Sequence, residues 1–262
     1  MKFLLFFIFA FCSVATNAVV VRHDIPVDDY HVDNMPEYVI ELPHEGLGVL
    51  IDSQWVVTVA HTVFYDYTGL KLNIGAEFYG IEEVKLHPHY KRPNKDLLSG
   101  DLAPLMRLLK SSSDIALIKL SKPVLGVHPI SLYANSDEKG EVITVFGNGA
   151  TGNGLLGEDL NTKSLHQARK FQNIVESAEG NWLTFKFDLP ASALPLEGMQ
   201  GSGDSGGASI IYHDGIPFLV GLSSWQLATG DISNFKGGLY GTTAYQTRIS
   251  SYYDWIMSIV GS

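Results

Sequence analysis

Cysteine is all but missing from this chain. The only one, Cys12, lies in an N-terminal apolar stretch expected to be cut away, so the mature protein can form no internal disulfide and must hold together by burial alone. At 262 residues that is feasible, because chains above about 150 residues bury most of their apolar surface. An exported protein without disulfides points to a bacterial source more than to an animal extracellular fluid. Positive charge is also scarce. Lys and Arg number 18 against 28 Asp and Glu, a formal net charge of −10 with no basic cluster, and such a surface repels nucleic acid and anionic lipid. No apolar run beyond the N-terminus is long enough for a membrane-spanning helix. Helical periodicity appears only in "DLAPLMRLLKS" (101–111) and at the end, where "YYDWIMSIV" sets Tyr252, Trp255, Ile256 and Ile259 on one face. Internal repeats and low-complexity sequence are absent.

What is present is an ordinary globular composition, 45% apolar and 18% charged, which argues against disorder. Met1-Lys2 and "FLLFFIFAFCSVATNA" have the form of a secretory signal peptide cut after Ala18; an uncleaved anchor is the alternative. Short runs rich in Val, Ile, Phe, Tyr and Trp then recur between turn signals: "EYVIEL", "GVLI", "QWVVTVAH", "DIALIKL", "EVITVFG", "WLTFKFDL", "ASIIYH" and "PFLVGLSSW". Many short strands separated by Gly, Asn and Asp predict an all-β sandwich or barrel. The Pro- and Gly-containing stretch 121–137 reads as a crossing between two β halves.

The stretch "GSGDSGGASI" (201–210) wraps a serine in glycine. Gly, Ser and Asp make turns, but glycines also let a backbone approach closely enough to aim N–H groups at a developing oxyanion. A serine that does chemistry needs a histidine base, and the base needs an acceptor to fix its tautomer. Among nine histidines, His61 ends the apolar run "WVVTVAH", where a polar ring is costly without partners. Asp114 opens "DIALIKL", where a carboxylate beside a buried strand is unusual. Each alone reads as a strand-end or turn residue.

Together, "WVVTVAH", "DIALIKL" and "GDSGG" resemble the chymotrypsin-like (trypsin-fold) serine proteases in order and spacing. Residues 203–207 also satisfy G-x-S-x-G, but an α/β-hydrolase runs Ser, Asp/Glu, His, whereas this chain runs His, Asp, Ser. "VFGNG" (145–149), "LSSWQ" (222–226) and "GGLYG" (237–241) extend the resemblance over most of the mature chain, the last being similar to the strand that closes the family's specificity pocket. The resemblance implies two six-stranded antiparallel β-barrels, about 30–120 and 138–246, with a C-terminal helix near 250–260. It makes His61 the general base, Asp114 its orienter and Ser205 the nucleophile, with the N–H groups of Gly203 and Ser205 as oxyanion hole. Ser224 would bond the aspartate, and Trp225 and Gln226 would pair with the substrate backbone.

The primary pocket is expected to have Met199 at its base, with Gln200, Ser202 and Gly238 around it, and so to prefer apolar or medium-sized residues over Arg or Lys. A small loop shift could instead bring Glu197 into it. Thr62 and the region of Gly46 stand where many relatives carry a disulfide, and Gln226 replaces a glycine at the pocket mouth. The segment 91–113 is longer than in compact members: a surface insertion, or a lid over the non-primed side through Leu105, Met106 and Leu109. In the family Asp204 pairs with a new N-terminal ammonium, which signal peptidase would supply here at Val19; removal of a short propeptide after Arg22 is the other route. The expected protein is a secreted monomeric endopeptidase acting on proteins or peptides, without metal or organic cofactor and without stable membrane association. A catalytically idle homologue serving in binding or adhesion is the alternative.

Overall fold

The computed structural model describes residues 19–161 and 167–261. The expected signal peptide and Cys12 lie outside them. The strands are β1 (Val19–Val21), β2 (Val39–Glu41), β3 (Leu47–Asp52), β4 (Trp55–Thr58), β5 (Lys71–Ile74), β6 (Glu77–Leu86), β7 (Ala116–Leu120), β8 (Ser131–Leu132), β9 (Val142–Gly147), β10 (Thr151–Asn153), β11 (Gly157–Asp159), β12 (Arg169–Ile174), β13 (Ser177–Glu179), β14 (Trp182–Lys186), β15 (Gly198–Met199), β16 (Ala208–His213), β17 (Ile216–Gln226) and β18 (Thr243–Arg248). Helix α1 spans Ala103–Lys110 and α2 spans Tyr253–Val260.

Six strands in the order β2-β3-β4-β7-β6-β5 form the first curled sheet. The second runs β12-β9-β16-β17-β18-β14, with the short β13 and β8 added at its margins. This is the two-barrel, mostly β architecture expected, closed by a short C-terminal helix. A further small sheet, β11-β10-β1-β15, sews the N-terminal strand into the second half.

Period-2 alternation with a core on either side explains why "WVVTV" and "ALIKL" are apolar at every position but Thr58 and Lys119. In β4, Val56 points into the core of the first barrel while Trp55 and Val57 point into a core shared by both barrels. In β7, Ala116 and Ile118 take the inner face while Leu117 joins the shared core. A strand buried on both faces over most of its length reads as a near-continuous apolar run; Lys119 reaches the surface and pairs with Glu82. The shared core also receives Ala208, Ile210, Leu219 and Leu222 from the second barrel, and Tyr252 and Ile256 from the terminal helix, with Trp255 and Ile259 packed against it. Arg248 makes a bidentate pair with the fully buried Glu138, to which Ser250 also donates, so the entry to α2 is tied to the crossing segment.

Some local expectations fail. The strand before His61 stops at Thr58, and His61 sits in a single 3-10 turn, Ala60–Thr62. "GGLYG" forms turns instead of a strand, because Gly238 and Gly241 both have positive φ, 76° and 84°.

Candidate active site in the cleft between the barrels

β4 and β7 are antiparallel neighbours with Thr58 opposite Ala116, so the end of one lies beside the start of the other. That pairing brings His61, just past β4, against Asp114, just before β7. The Asp114 carboxylate accepts from the backbone N–H of His61 through Oδ1 at 2.9 Å and meets His61 Nδ1 through Oδ2 at 2.7 Å. Ser224 Oγ donates to the same Oδ2 at 2.6 Å. On the other side of the ring, His61 Nε2 is 2.8 Å from Ser205 Oγ. Asp114 is 7% exposed and His61 37%, so the acceptor is buried while the ring faces the cleft.

Electrostatics follow from this burial. Desolvation pushes the His61 pKa down, but the charge and hydrogen bond of Asp114, with Glu45 further off, more than offset it and leave the pKa raised. Desolvation pushes Asp114 up, yet the neighbouring His61 and the hydrogen bonds from His61 and Ser224 hold its pKa below the ordinary value. Asp114 is therefore an anion at neutral pH, and His61 Nδ1–H donates to it, which leaves Nε2 as the acceptor for the serine proton.

Close approach accounts for the glycines around Ser205. A Cβ on Gly206, at φ +81°, would lie 2.0 Å from the carbonyl oxygen of Leu47, and Leu47 N–H itself donates to Ser205 O at 2.7 Å. The Ser202 carbonyl accepts from Ala150 N–H at 2.7 Å, which turns the following N–H, that of Gly203, the opposite way. Among the described residues, neither Gly203 N–H nor Ser205 N–H has a protein acceptor. Asp204 points away from the cleft: it is buried and accepts from Gly149 N–H and Gly201 N–H at 2.7 and 2.8 Å. Burial raises its pKa to about 7, against the opposing pull of those hydrogen bonds.

Several expected pocket residues lie elsewhere. Met199 is fully buried in the core of the second barrel, paired with Val20, and does not line the cleft. Glu197 does not turn into the pocket either; it is buried and accepts from Asp188 N–H and Leu194 N–H, tying down a neighbouring loop. Gly238 is packed against Val20 and gives its N–H to Gln226 Oε1 at 2.8 Å. Gln200, Ser202, Ser205, Ser224, Trp225 and Gln226 do line one cleft of about 270 Å3. Trp225 is held by stacking on Tyr245, with ring centroids 3.7 Å apart.

Val19 is fully buried in β1, beside Thr151. Gly46 and Thr62, the positions of the absent disulfide, do face one another: a Cβ on Gly46 would meet Thr62 Cγ2 at 2.8 Å. The sequence pattern did not single out Glu158, whose Oε2 accepts Ser202 N–H at 2.7 Å and steadies the loop before Ser205. Nor did it single out Ala228, Ile232 and Phe235, which complete the cleft.

Comparison with known proteins agrees with this geometry. The trypsin family model matches residues 37–256. Vitamin K-dependent protein C of Rattus norvegicus is 27% identical over 240 residues, covering 82% of this chain and 46% of its own length. A trypsin of Phaedon cochleariae is 28% identical over 244 residues, covering 89% of this chain and 85% of its own. A calcium-dependent serine proteinase of Mesocricetus auratus is 28% identical over 244 residues, with 83% and 32% covered. The chain thus spans about half the length of the protein C relatives. These relatives are animal proteins, so the bacterial source expected from the cysteine count finds no support in them. By fold, by the His61–Ser205 hydrogen bond and by the family match over most of its length, this chain belongs to the trypsin family of serine proteases.

Proposed function

We propose that the protein is a secreted serine endopeptidase that cleaves peptide bonds through an acyl-enzyme formed on Ser205. The observation that carries the reading is the continuous hydrogen-bond chain Asp114–His61–Ser205. His61 Nε2 takes the hydroxyl proton as Ser205 Oγ attacks the scissile carbonyl, and Asp114 stabilises the imidazolium that results. The N–H groups of Gly203 and Ser205 receive the oxyanion. His61 then returns the proton to the leaving amine, and water, activated by the same ring, hydrolyses the ester. An extended peptide adds as a strand along Ser224, Trp225 and Gln226, where β16 has ended and leaves the edge of β17 open.

Activation follows from Asp204. Val19 is buried at the start of β1, between β10 and β15, and the backbone donors to Asp204, Gly149 and Gly201, lie just beyond those two strands. Signal peptidase cutting after Ala18 would leave an ammonium on Val19 to pair with the Asp204 carboxylate, so export itself completes the site. The secreted enzyme should begin at Val19 by mass spectrometry and lose activity when one residue is added before it. A fully active form beginning at His23 or later contradicts this route. For the reaction itself, purified protein should hydrolyse a denatured protein substrate and Ser205→Ala should not; near-wild-type hydrolysis by Ser205→Ala overturns the proposal.

A further inference from the structure

The cleft beside Ser205 has two unlike halves. A peptide whose carbonyl sits at Gly203 and Ser205, with its backbone along Ser224–Gln226, directs the side chain of the attacked residue between segments 200–202 and 225–226. That gap is spanned by the protein's own amides. Gln226 Nε2 donates to Gln200 O at 2.8 Å, and its Oε1 accepts from Gly238 N–H at 2.8 Å. Gln200 Nε2 reaches back to Trp225 O at 3.4 Å, and Gln200 Oε1 accepts from Gln246 Nε2 at 3.2 Å. Gln246 in turn accepts from Ser209 Oγ at 2.8 Å, both residues being fully buried. Displacing the half-buried Gln226 would break two hydrogen bonds and uncouple it from the buried Gln200 and Gln246, which costs free energy.

The other half is apolar and open. Helix α1, inserted in the first barrel, presents Leu105, Met106 and Leu109, and these face Ala228, Ile232 and Phe235 of the second. Two backbone hydrogen bonds, Leu102 N–H to Gly230 O and Ile232 N–H to Gly100 O, both 2.8 Å, staple these segments together. The groove is therefore built before any substrate arrives, and a pre-organised groove spends little of its affinity on ordering. It is continuous with Trp225 and Ser205 along the path of the upstream peptide strand.

Resting on the endopeptidase reading, we propose that substrate choice lies in this groove: the enzyme selects peptides carrying a leucine- or phenylalanine-sized side chain two to four residues before the scissile bond. The residue at the scissile carbonyl should be small, because the Gln226 amide, bonded to Gln200 O and Gly238 N–H, spans the gap that its side chain would enter. Each of the two selections should show separately in a cleavage profile.

The test is a peptide library varied at each of the four positions before the scissile bond, read as kcat/KM. Replacing the preferred upstream apolar residue with glycine should lower kcat/KM by about 10–100-fold, the range an apolar side chain supplies in a hydrophobic site. Met106→Asp should flatten that ratio, and Phe235→Ala, at a residue 44% exposed, does the same from the opposite wall should the helix variant not fold. Gln226→Gly should admit large residues at the scissile carbonyl. A wild-type enzyme that reacts with a fluorophosphonate yet shows a flat upstream profile, or a strong demand for a large or basic residue at the scissile carbonyl, overturns this inference and leaves the endopeptidase reading standing. An enzyme that neither cleaves nor reacts with the fluorophosphonate overturns the endopeptidase reading instead.

Discussion

Replacing Asp114 with asparagine tests the hydrogen-bond chain at its most informative point, and the geometry dictates where the new amide goes. Oδ1 accepts from the backbone N–H of His61, so an NH2 group there would set donor against donor. The carbonyl oxygen must keep that place, and the NH2 falls at the position of Oδ2, facing His61 Nδ1 and Ser224 Oγ. Ser224 can rotate its hydroxyl to accept, but His61 can accept only by moving its proton to Nε2. That tautomer presents N–H to Ser205 and cannot take its proton. The expected loss in kcat is about 10⁴-fold, which corresponds to about 5 kcal/mol of barrier. Because Asp114 is also what raises the His61 pKa against burial, the acid limb of the residual activity should move to lower pH. The assay is ester hydrolysis across pH, with thermal unfolding as a check that the variant is folded. Activity within tenfold of wild type in a folded Asp114→Asn variant would refute the assignment of His61 as the base.

Three further outcomes are expected. Ser205→Ala and His61→Ala should each lower kcat by several orders of magnitude, and the double variant should be scarcely worse than either, because they act as a unit; additive losses in steady-state kinetics would contradict this. Glu197→Ala should cost about 1–3 kcal/mol in urea unfolding by stripping the acceptor from Asp188 N–H and Leu194 N–H, without changing which residues are preferred at the scissile bond. In the uncut chain, the Asp204 pKa of about 7 lies above its unfolded value, so the folded state holds the extra proton and stability should fall as pH rises from about 4 to about 7. In a chain beginning at Val19 the ammonium favours the charged carboxylate, and thermal unfolding should lose that slope.

The sequence announced the site far better than the pocket. His61, Asp114 and Ser205 stand out only together, through the order and spacing of "WVVTVAH", "DIALIKL" and "GDSGG", since each alone reads as a strand-end or turn residue. Strands such as "WVVTV" and "ALIKL" were legible because they are short, mostly apolar runs. Met199 was expected at the base of the pocket but is packed in the core of the second barrel, and the amides of Gln200 and Gln226 bond across the gap between segments 200–202 and 225–226, a side-chain arrangement that no spacing reveals. The strand β12 and the hairpin β5–β6 were passed over because "RKFQNI" and "KLNIGAEFYGIEEVKL" alternate with charges that hide their inward faces. Helix α1 was legible from its period, but its partner wall at Ala228, Ile232 and Phe235 was not, since backbone bonds at Gly230 and Gly100 and the packing of Leu102 and Leu105 on Ala228 join segments far apart in sequence.

The most direct measurement is reaction of the purified mature protein with a fluorophosphonate, followed by mass spectrometric mapping of the adduct. An activated hydroxyl predicts one adduct per chain, located at Ser205, lost in His61→Ala and parallel to the loss of peptide hydrolysis. A protein that hydrolyses peptides while Ser205 remains unmodified, or a folded mature protein that takes up no label at neutral pH, would contradict the assignment of Ser205 as the nucleophile.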